Sequence, residues 1–478
     1  MKRPLKLILA LVVLVALIGG YFLVTELTKE ETPEAGSAGS ILDTPFLSLE
    51  GTILKIDYTY AGEQISLAKG ADGWQYAADP SFPLSADALS TIETVLKNIE
   101  VLRTILPEET DSELFGLTDP QLTVSVLTDA GSVRYAVGMY NKSFNGYYLQ
   151  KDGDPMTYLV AAEMPAALSN SLYAIAEVDA YPQIMSTNAT ALSIRMDGAV
   201  RELSFIEGGS DATYADAIEW FDTTDGGMIP ARETAVTVLA AEVTGLTYGS
   251  CIDYAVSESE WASYGFDAPY LEVELDYYYY TGATLDKPEI ATFTLTVGNT
   301  AGAGERYLTW SGTKMAYTVA EDALEAIIAG LTDDLTPFEV CAVSVDSIRS
   351  AKVSVGDKST IIGREVKEVS TIDAATGETV TELTEVYTVD GELSSDASLA
   401  AFFETLTTMQ REAAADPSAM SDEVYMTVEL SRSTDAFAEL TVTFYVHDAN
   451  FCRVAIGDSA DALVSVRTVE ALAAVIPE

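Results

Sequence analysis

Histidine is almost absent, with His447 the only one in 478 residues. One imidazole excludes every metal site built from several histidines, and a serine–histidine–acid arrangement could draw on this residue alone. It stands in TVTFYVHDAN near a turn, with no G-x-S-x-G elbow before it and Cys452 only five positions on, so that both are read onto one short strand segment. Cysteine is nearly as scarce. Cys251, Cys341 and Cys452 cannot complete a set of intrachain bridges, and their spacing fits no metal knuckle. Cys452 is in phase with Val454 and Ile456, as a small core residue would be. Basic residues are few: 26 Lys and Arg against 74 Asp and Glu give a net charge of −48. Phosphate backbones and anionic lipid surfaces repel such a chain, which argues against nucleic acid as a partner. The acidity reads as solubility in an exposed location.

Other signatures are missing too. AGAGERY (301–307) has no Lys-Ser/Thr and no helix after it, so it reads as a hairpin turn. DTTDGG (222–227) and KDGDP (151–155) lack the spaced ligands and distal Glu of an EF-hand and read as solvated turns. With so many acids, paired carboxylates select no site. No cofactor, metal or catalytic residue is assigned.

One long apolar run is present. Leu7 to Val24 carries no charge, with Lys2, Arg3 and Lys6 before it and Glu26, Glu30 and Glu31 after. Eighteen residues of helix at 1.5 Å each cross most of a hydrocarbon core. The basic flank predicts a cytoplasmic tip and an extracytoplasmic C-terminal region. Residues 1–28 are read as an uncleaved, single-pass anchor; a cleaved signal peptide is the rival, although no small-x-small site follows Tyr21–Val24. Residues 29–45, which contain ETPEAGSAGS, read as a flexible tether.

Beyond the tether the chain repeats itself. After Trp74, Leu89, Ile92, Leu96, Ile99 and Leu102 recur at helical steps, with Ser85 as N-cap. Then come Phe115-Gly116, Pro120, the alternating LTVSV, VRYAVG ending at Gly138, NGYYLQ and TYLV. After Trp220, Pro230 suits a first helical turn and Val236, Leu239, Val243 and Leu246 are helically spaced. Tyr264-Gly265, Pro269, LEVEL, TFTLTVG ending at Gly298, ERYLTW and AYTV come next. From the Trp to the Gly of the aromatic-Gly pair is 42 residues in one copy and 45 in the other.

A third, worn copy has Leu399, Phe402, Leu406 and Met409 on a helix, MTVEL (426–430) for LTVSV, and RVAIG (453–457) for RYAVG. It lacks the aromatic-Gly…Pro signature and is read as one hairpin short before VSVRTVEALAAVI. The Gly supplies backbone angles other residues avoid, and the Pro makes its predecessor extended and launches a strand. Each unit reads as two strands, a helix, four strands and a helix. The fold class is therefore α+β: a transmembrane helix, then two or three tandem modules of antiparallel sheet packed on helices. The expected modules are 46–178, 179–338 and a divergent 339–478.

These features resemble the membrane-anchored bacterial proteins carrying domain of unknown function 4340. The resemblance rests on the N-terminal apolar stretch, the Trp before a helix, Phe115–Pro120, Tyr264–Pro269, and the VG pairs at 137–138 and 297–298. It implies extracytoplasmic repeat modules, in many bacteria linked with ABC-type export systems resembling those of gliding machinery. It implies no catalytic residues.

The most unusual run is DYYYYTG. In a strand, Tyr277 and Tyr279 continue the Leu271/Val273/Leu275 face, while Tyr278 and Tyr280 point the other way. Tyr278 and Tyr280 are read either as packing on a neighbouring module or as a platform for a partner protein or glycan. The expected function is a membrane-anchored, non-enzymatic protein acting by protein–protein contact, as accessory to an ABC-type export or surface machinery. A cell-surface or wall polysaccharide-binding module is the alternative, and a hydrolase comes third.

Overall fold

The computed structural model describes residues 45–281, 287–372, 379–414, 421–457 and 459–476. The expected anchor, and the expected tether up to residue 44, lie outside them. Among the described residues no helix is long and apolar enough to cross a membrane. Three nine-stranded antiparallel sheets with a few helices form, so the α+β expectation holds. The chain divides into two compact units, one ending at Ile175 and the other starting at Ala176.

In the first unit β1 (Phe46–Ser48), β2 (Ile53–Tyr60), β3 (Glu63–Gly70) and β4 (Gly73–Tyr76) precede helix α1 (Ala86–Lys97). After it come β5 (Asn98–Ile105), β6 (Leu122–Thr128), β7 (Gly131–Asn141), β8 (Gly146–Lys151), β9 (Thr157–Ala161) and α2 (Glu163–Leu168). The strand order is β1-β5-β9-β8-β7-β6-β2-β3-β4. Alternation places Leu122, Val124 and Val126 inside, and α1 buries Leu89, Ile92 and Leu96. Each such side chain contributes about 1.5–3 kcal/mol by leaving water. Ser85 caps α1 as expected, accepting from the amide of Ala88. The helix stops at Lys97, however, and Ile99 and Leu102 belong to β5. Leu102, expected on the buried helix face, is 41% exposed.

The second unit holds two sheets. The first contains β10 (Ala189–Met196), β11 (Ala199–Phe205), β12 (Trp220–Asp222) and β13 (Ile229–Pro230), then α3 (Glu233–Thr244). It continues with β14 (Cys251–Asp253), α4 (Glu258–Tyr264), β15 (Leu271–Tyr280), β16 (Pro288–Gly302), β17 (Glu305–Trp310), β18 (Ala316–Ala320) and α5 (Glu325–Ala329). Pro230 pairs as a strand residue and is not in the first turn of α3. α4, unforeseen, starts with a Ser257/Glu260 capping box and ends on Gly265 at φ +81°.

The next sheet has β19 (Ile348–Val355), β20 (Lys358–Ile372), β21 (Thr379–Val389), β22 (Glu392–Ser394) and α6 (Ser398–Thr408). After α6 it has β23 (Ala413–Ala414), β24 (Val424–Arg432), β25 (Glu439–Val446), β26 (Phe451–Ile456), β27 (Ser459–Ser465) and α7 (Val466–Ala473).

The three sheets share one topology. Eight strands run β4-β3-β2-β6-β7-β8-β9-β5, β12-β11-β10-β15-β16-β17-β18-β14 and β21-β20-β19-β24-β25-β26-β27-β23. Each repeat thus has a third strand before its main helix and a further strand after it, eight residues long in the first sheet and three and two in the others, which the expected sequence of elements lacked. In the last sheet RVAI of RVAIG lies on β26, the counterpart of β8 and β17; the counterpart of RYAVG is TVTFYV on β25. No hairpin is lost, because β27 fills the stretch before Val466.

Within the second unit the two sheets are joined by an arm. Residues 206–219 connect β11 to β12, where the first sheet turns in two residues between β3 and β4. Tyr214 of the arm packs against the core of the last sheet, and its hydroxyl donates to the carbonyl of Val340 (3.3 Å). Asp216 accepts from the amide of Ser344 (2.7 Å) and forms a 2.6 Å ion pair with Arg432, whose side chain is 1% exposed.

Candidate interaction surfaces

Paired glycines build the same corner in the first two sheets. Gly116 sits at φ +70° and Gly265 at +81°, the conformation expected of them. Each corner lies against a second glycine. A Cβ on Gly138 would stand 2.1 Å from the carbonyl oxygen of Phe115, and one on Gly298 would stand 2.0 Å from that of Tyr264. Phe115 then stacks on Tyr148 (ring centroids 4.0 Å apart), and Tyr264 meets Tyr307 edge-on at 4.8 Å. The motif is therefore a backbone-on-backbone contact with an aromatic pair beside it.

Around the Phe115–Tyr148 stack the first sheet leaves several large apolar side chains exposed. Leu102 lies over Gly146, close enough that a Cβ there would be 2.8 Å from it, and Met139 lies over Gly116. Leu114, next to Phe115, is 68% exposed and Met139 is 56% exposed. Tyr140 and Phe144 lie on the adjoining β7–β8 hairpin, both exposed.

The tyrosine run behaves as its alternation predicted. β10 pairs with β15 only as far as Tyr277, and β17 pairs with β16 only from Leu295. Tyr278 to Tyr280 therefore form, with Pro288 to Ile290, a ribbon of two strands. Tyr278 faces Ile290 across the ribbon and Tyr280 faces Pro288, so all four lie on one side. The Tyr278 and Tyr280 rings are 5.9 Å apart and inclined at 80°. Ile290 is 70% exposed and Tyr280 45%. On the other side the Tyr279 hydroxyl donates to Glu289 (3.1 Å), which raises its pKa.

The family described as domain of unknown function (DUF4340) matches residues 74–217 and 220–424, most of the chain. The chain belongs to that family. No curated protein and no solved structure matches it. Both DUF4340 segments begin at or beside the recurring Trp, Trp74 and Trp220, which occupy the counterpart strands β4 and β12. Each segment thus starts inside one sheet and ends in the next, out of phase with the structural repeat. Trp220 is buried, as an anchor of the core should be. Trp74 is half-exposed: its indole donates to Glu93, and the Lys69 ammonium lies 5.4 Å from its ring centre.

Where the two sheets of the second unit meet, this DUF4340 chain has a groove of about 450 Å³, lined by Tyr214, Met228, Ile229, Pro230, Val340 and Phe437 among others. Arg411 at its margin is paired with Asp334 at 2.7 Å. Nothing in the sequence flagged it, because its lining comes from the arm, a turn and a linker.

The residues weighed for chemistry are scattered. His447 follows β25 and Cys452 lies on β26, paired with Val446, so the two stand across a turn and not on one strand segment. All three cysteines are buried and free. AGAGERY forms the β16–β17 hairpin turn. Among the described residues no group of three or more His, Cys, Asp or Glu converges on a metal position. Among the described residues the carboxylates that shift are all pushed down, Glu93, Asp334 and Glu385 among them, the last by the Tyr387 hydroxyl and Arg364.

Proposed function

We propose that this chain is a membrane-anchored, extracytoplasmic, non-enzymatic protein that works by protein–protein contact, as an accessory of an ABC-type export or surface machinery. The anchoring part rests on Leu7–Val24 and its basic flank. The contact part rests on one observation, the Tyr278/Tyr280/Pro288/Ile290 face, where Tyr278 is half-buried and the other three are exposed. A sugar-stacking platform presents aromatic faces side by side; here one ring stands edge-on to the other, and an isoleucine and a proline complete the surface. Rigid tyrosines beside aliphatic side chains are what protein interfaces use. A hydrolase would need a carboxylate held above its usual range to act as general acid, and among the described residues the shifts run the other way.

The test is crosslinking in intact cells, capture of the full-length chain and mass spectrometry, beside a Tyr278→Ala/Tyr280→Ala variant. Transporter subunits recovered with the natural chain and reduced at least fivefold with the variant support the reading. Recovery of wall glycan in place of protein, lost with the same variant, would replace it with the polysaccharide-binding alternative.

A further inference from the structure

We propose that the apolar surface of the first sheet, centred on Leu102, Leu114 and Met139, seats that unit on the lipid surface in which the N-terminal stretch is anchored. This rests on the anchoring part of the proposed function.

The chain supplies its own control. Leu114 precedes the aromatic-Gly pair Phe115-Gly116, and Ser263 holds the same place before Tyr264-Gly265. Met139 follows Gly138, and Asn299 follows Gly298. Thr104 pairs with Tyr158 as Cys251 pairs with Tyr317, which puts Gly249 in the place of Leu102. Ser263, Asn299 and Gly249 are exposed like their counterparts, and the Asn299 amide donates to the carbonyl of Ser263 (3.1 Å). The corner therefore folds with polar or absent side chains at all three positions. Folding does not demand the three apolar residues of the first sheet, and an uncovered apolar patch on a folded unit marks a contact.

The place where the described chain begins says what the contact is. β1 pairs with β5 at Phe46↔Glu100, and the carbonyl of Pro45 accepts from the amide of Val101, beside Leu102. The chain thus enters this unit at the edge of the patch. Twenty residues separate Pro45 from Val24. Even fully extended they reach no further than about 70 Å. An anchored chain keeps the patch within that distance of the bilayer, and at such effective concentration a weak surface contact suffices.

The apolar stretch itself is a poor occupant: Leu7–Val24 is uncharged on every side, and three side chains could cover only one of them. Leucine and methionine flanked by Tyr140 and Phe144 are the residues that enter the headgroup–acyl boundary. With a net charge of −48 the chain disfavours anionic lipid, so the surface it fits is zwitterionic.

The test uses the full chain reconstituted into phosphatidylcholine vesicles. Leu114→Cys carries a polarity-sensitive fluorophore, and Ser263→Cys carries the same label as control; the natural cysteines are buried. Flotation with the vesicles reads anchoring, while the label reads the patch. The expected result is a blue-shifted emission at 114, quenched at least twofold by brominated lipid, with 263 unchanged. Adding Leu102→Ser and Met139→Asn, which removes the apolar side chains that the second sheet also lacks at these places, abolishes the shift without moving the thermal unfolding midpoint by more than a few degrees. A chain that floats while the label at 114 stays as wet as at 263 overturns the proposal and leaves anchoring intact. A chain that does not float overturns both. A label that dries only in native membranes, and not in pure lipid, assigns the patch to a protein partner and overturns the lipid assignment.

Discussion

Replacing Asp216 by Ala should destabilise the second unit by about 3–5 kcal/mol, the usual loss when one partner of a buried ion pair is removed. The magnitude comes from what remains behind. Arg432 is 1% exposed; its Nε donates to the Ser347 hydroxyl at 3.1 Å and its Nη1 to the carbonyl of Phe437 at 3.4 Å, but neither partner carries charge. Without the carboxylate at 2.6 Å the guanidinium is buried and uncompensated. The amide of Ser344 loses its acceptor at the same time. The double variant Asp216→Leu/Arg432→Met should recover most of the loss, because the desolvation penalty disappears with the charge.

Urea unfolding followed by tryptophan emission measures this. In a Trp74→Phe background the three remaining tryptophans, Trp220, Trp261 and Trp310, all lie in the second unit. An unchanged slope with a lower midpoint would assign the effect to stability. A loss below about 1 kcal/mol for Asp216→Ala, or a double variant as unstable as the single, would refute a buried charge pair as the lock between the two sheets.

Two further outcomes are expected. Gly138→Ala and Gly298→Ala should each cost about 3 kcal/mol, since the new methyl would overlap a carbonyl oxygen near 2 Å and the backbone has to move; melting curves that match the natural chain's would remove the paired-glycine explanation of the motif. The thiols should be silent to a disulfide reagent at pH 8 until the chain unfolds, because burial pushes Cys251 up to about 11 and Cys341 up to about 12; one equivalent reacting within minutes under native conditions would contradict the burial.

Much of the repeat could be read from the sequence because its signals are local. The left-handed turn at Gly116 and Gly265, the alternating strands β6 and β15 and the Ser85 cap depend on neighbours within a few residues. The failures share a cause in longer range. Leu96, Ile99 and Leu102 keep helical spacing across the end of α1, so periodicity carried Leu102 into a buried face, whereas the chain turns to strand at Asn98. In the last sheet β25 and β26 each bury an alternating apolar set, Leu440/Val442/Phe444 and Cys452/Val454/Ile456, and only the pairing order separates them. The arm, IEGGSDATYADAIE, is mostly small and acidic residues and looks like any solvated loop, although Tyr214 within it reaches another sheet's core. The apolar surface of the first sheet was invisible for the same reason: exposure is a property of what does not cover a residue.

The connection between the second and third strands of each repeat differs more than any strand does. It is a two-residue turn in the first sheet, a grasping arm in the second, and in the third a pair of strands lengthened to Ile372 and from Thr379. Only the repeat with the arm shares a compact unit with its successor. The grouping of repeats into compact units thus follows the length of one connection, about fourteen residues where two sheets are joined and two where they are not. A tandem protein of this kind can evolve its mechanics, how many links it has and where they lie, while the links themselves stay the same.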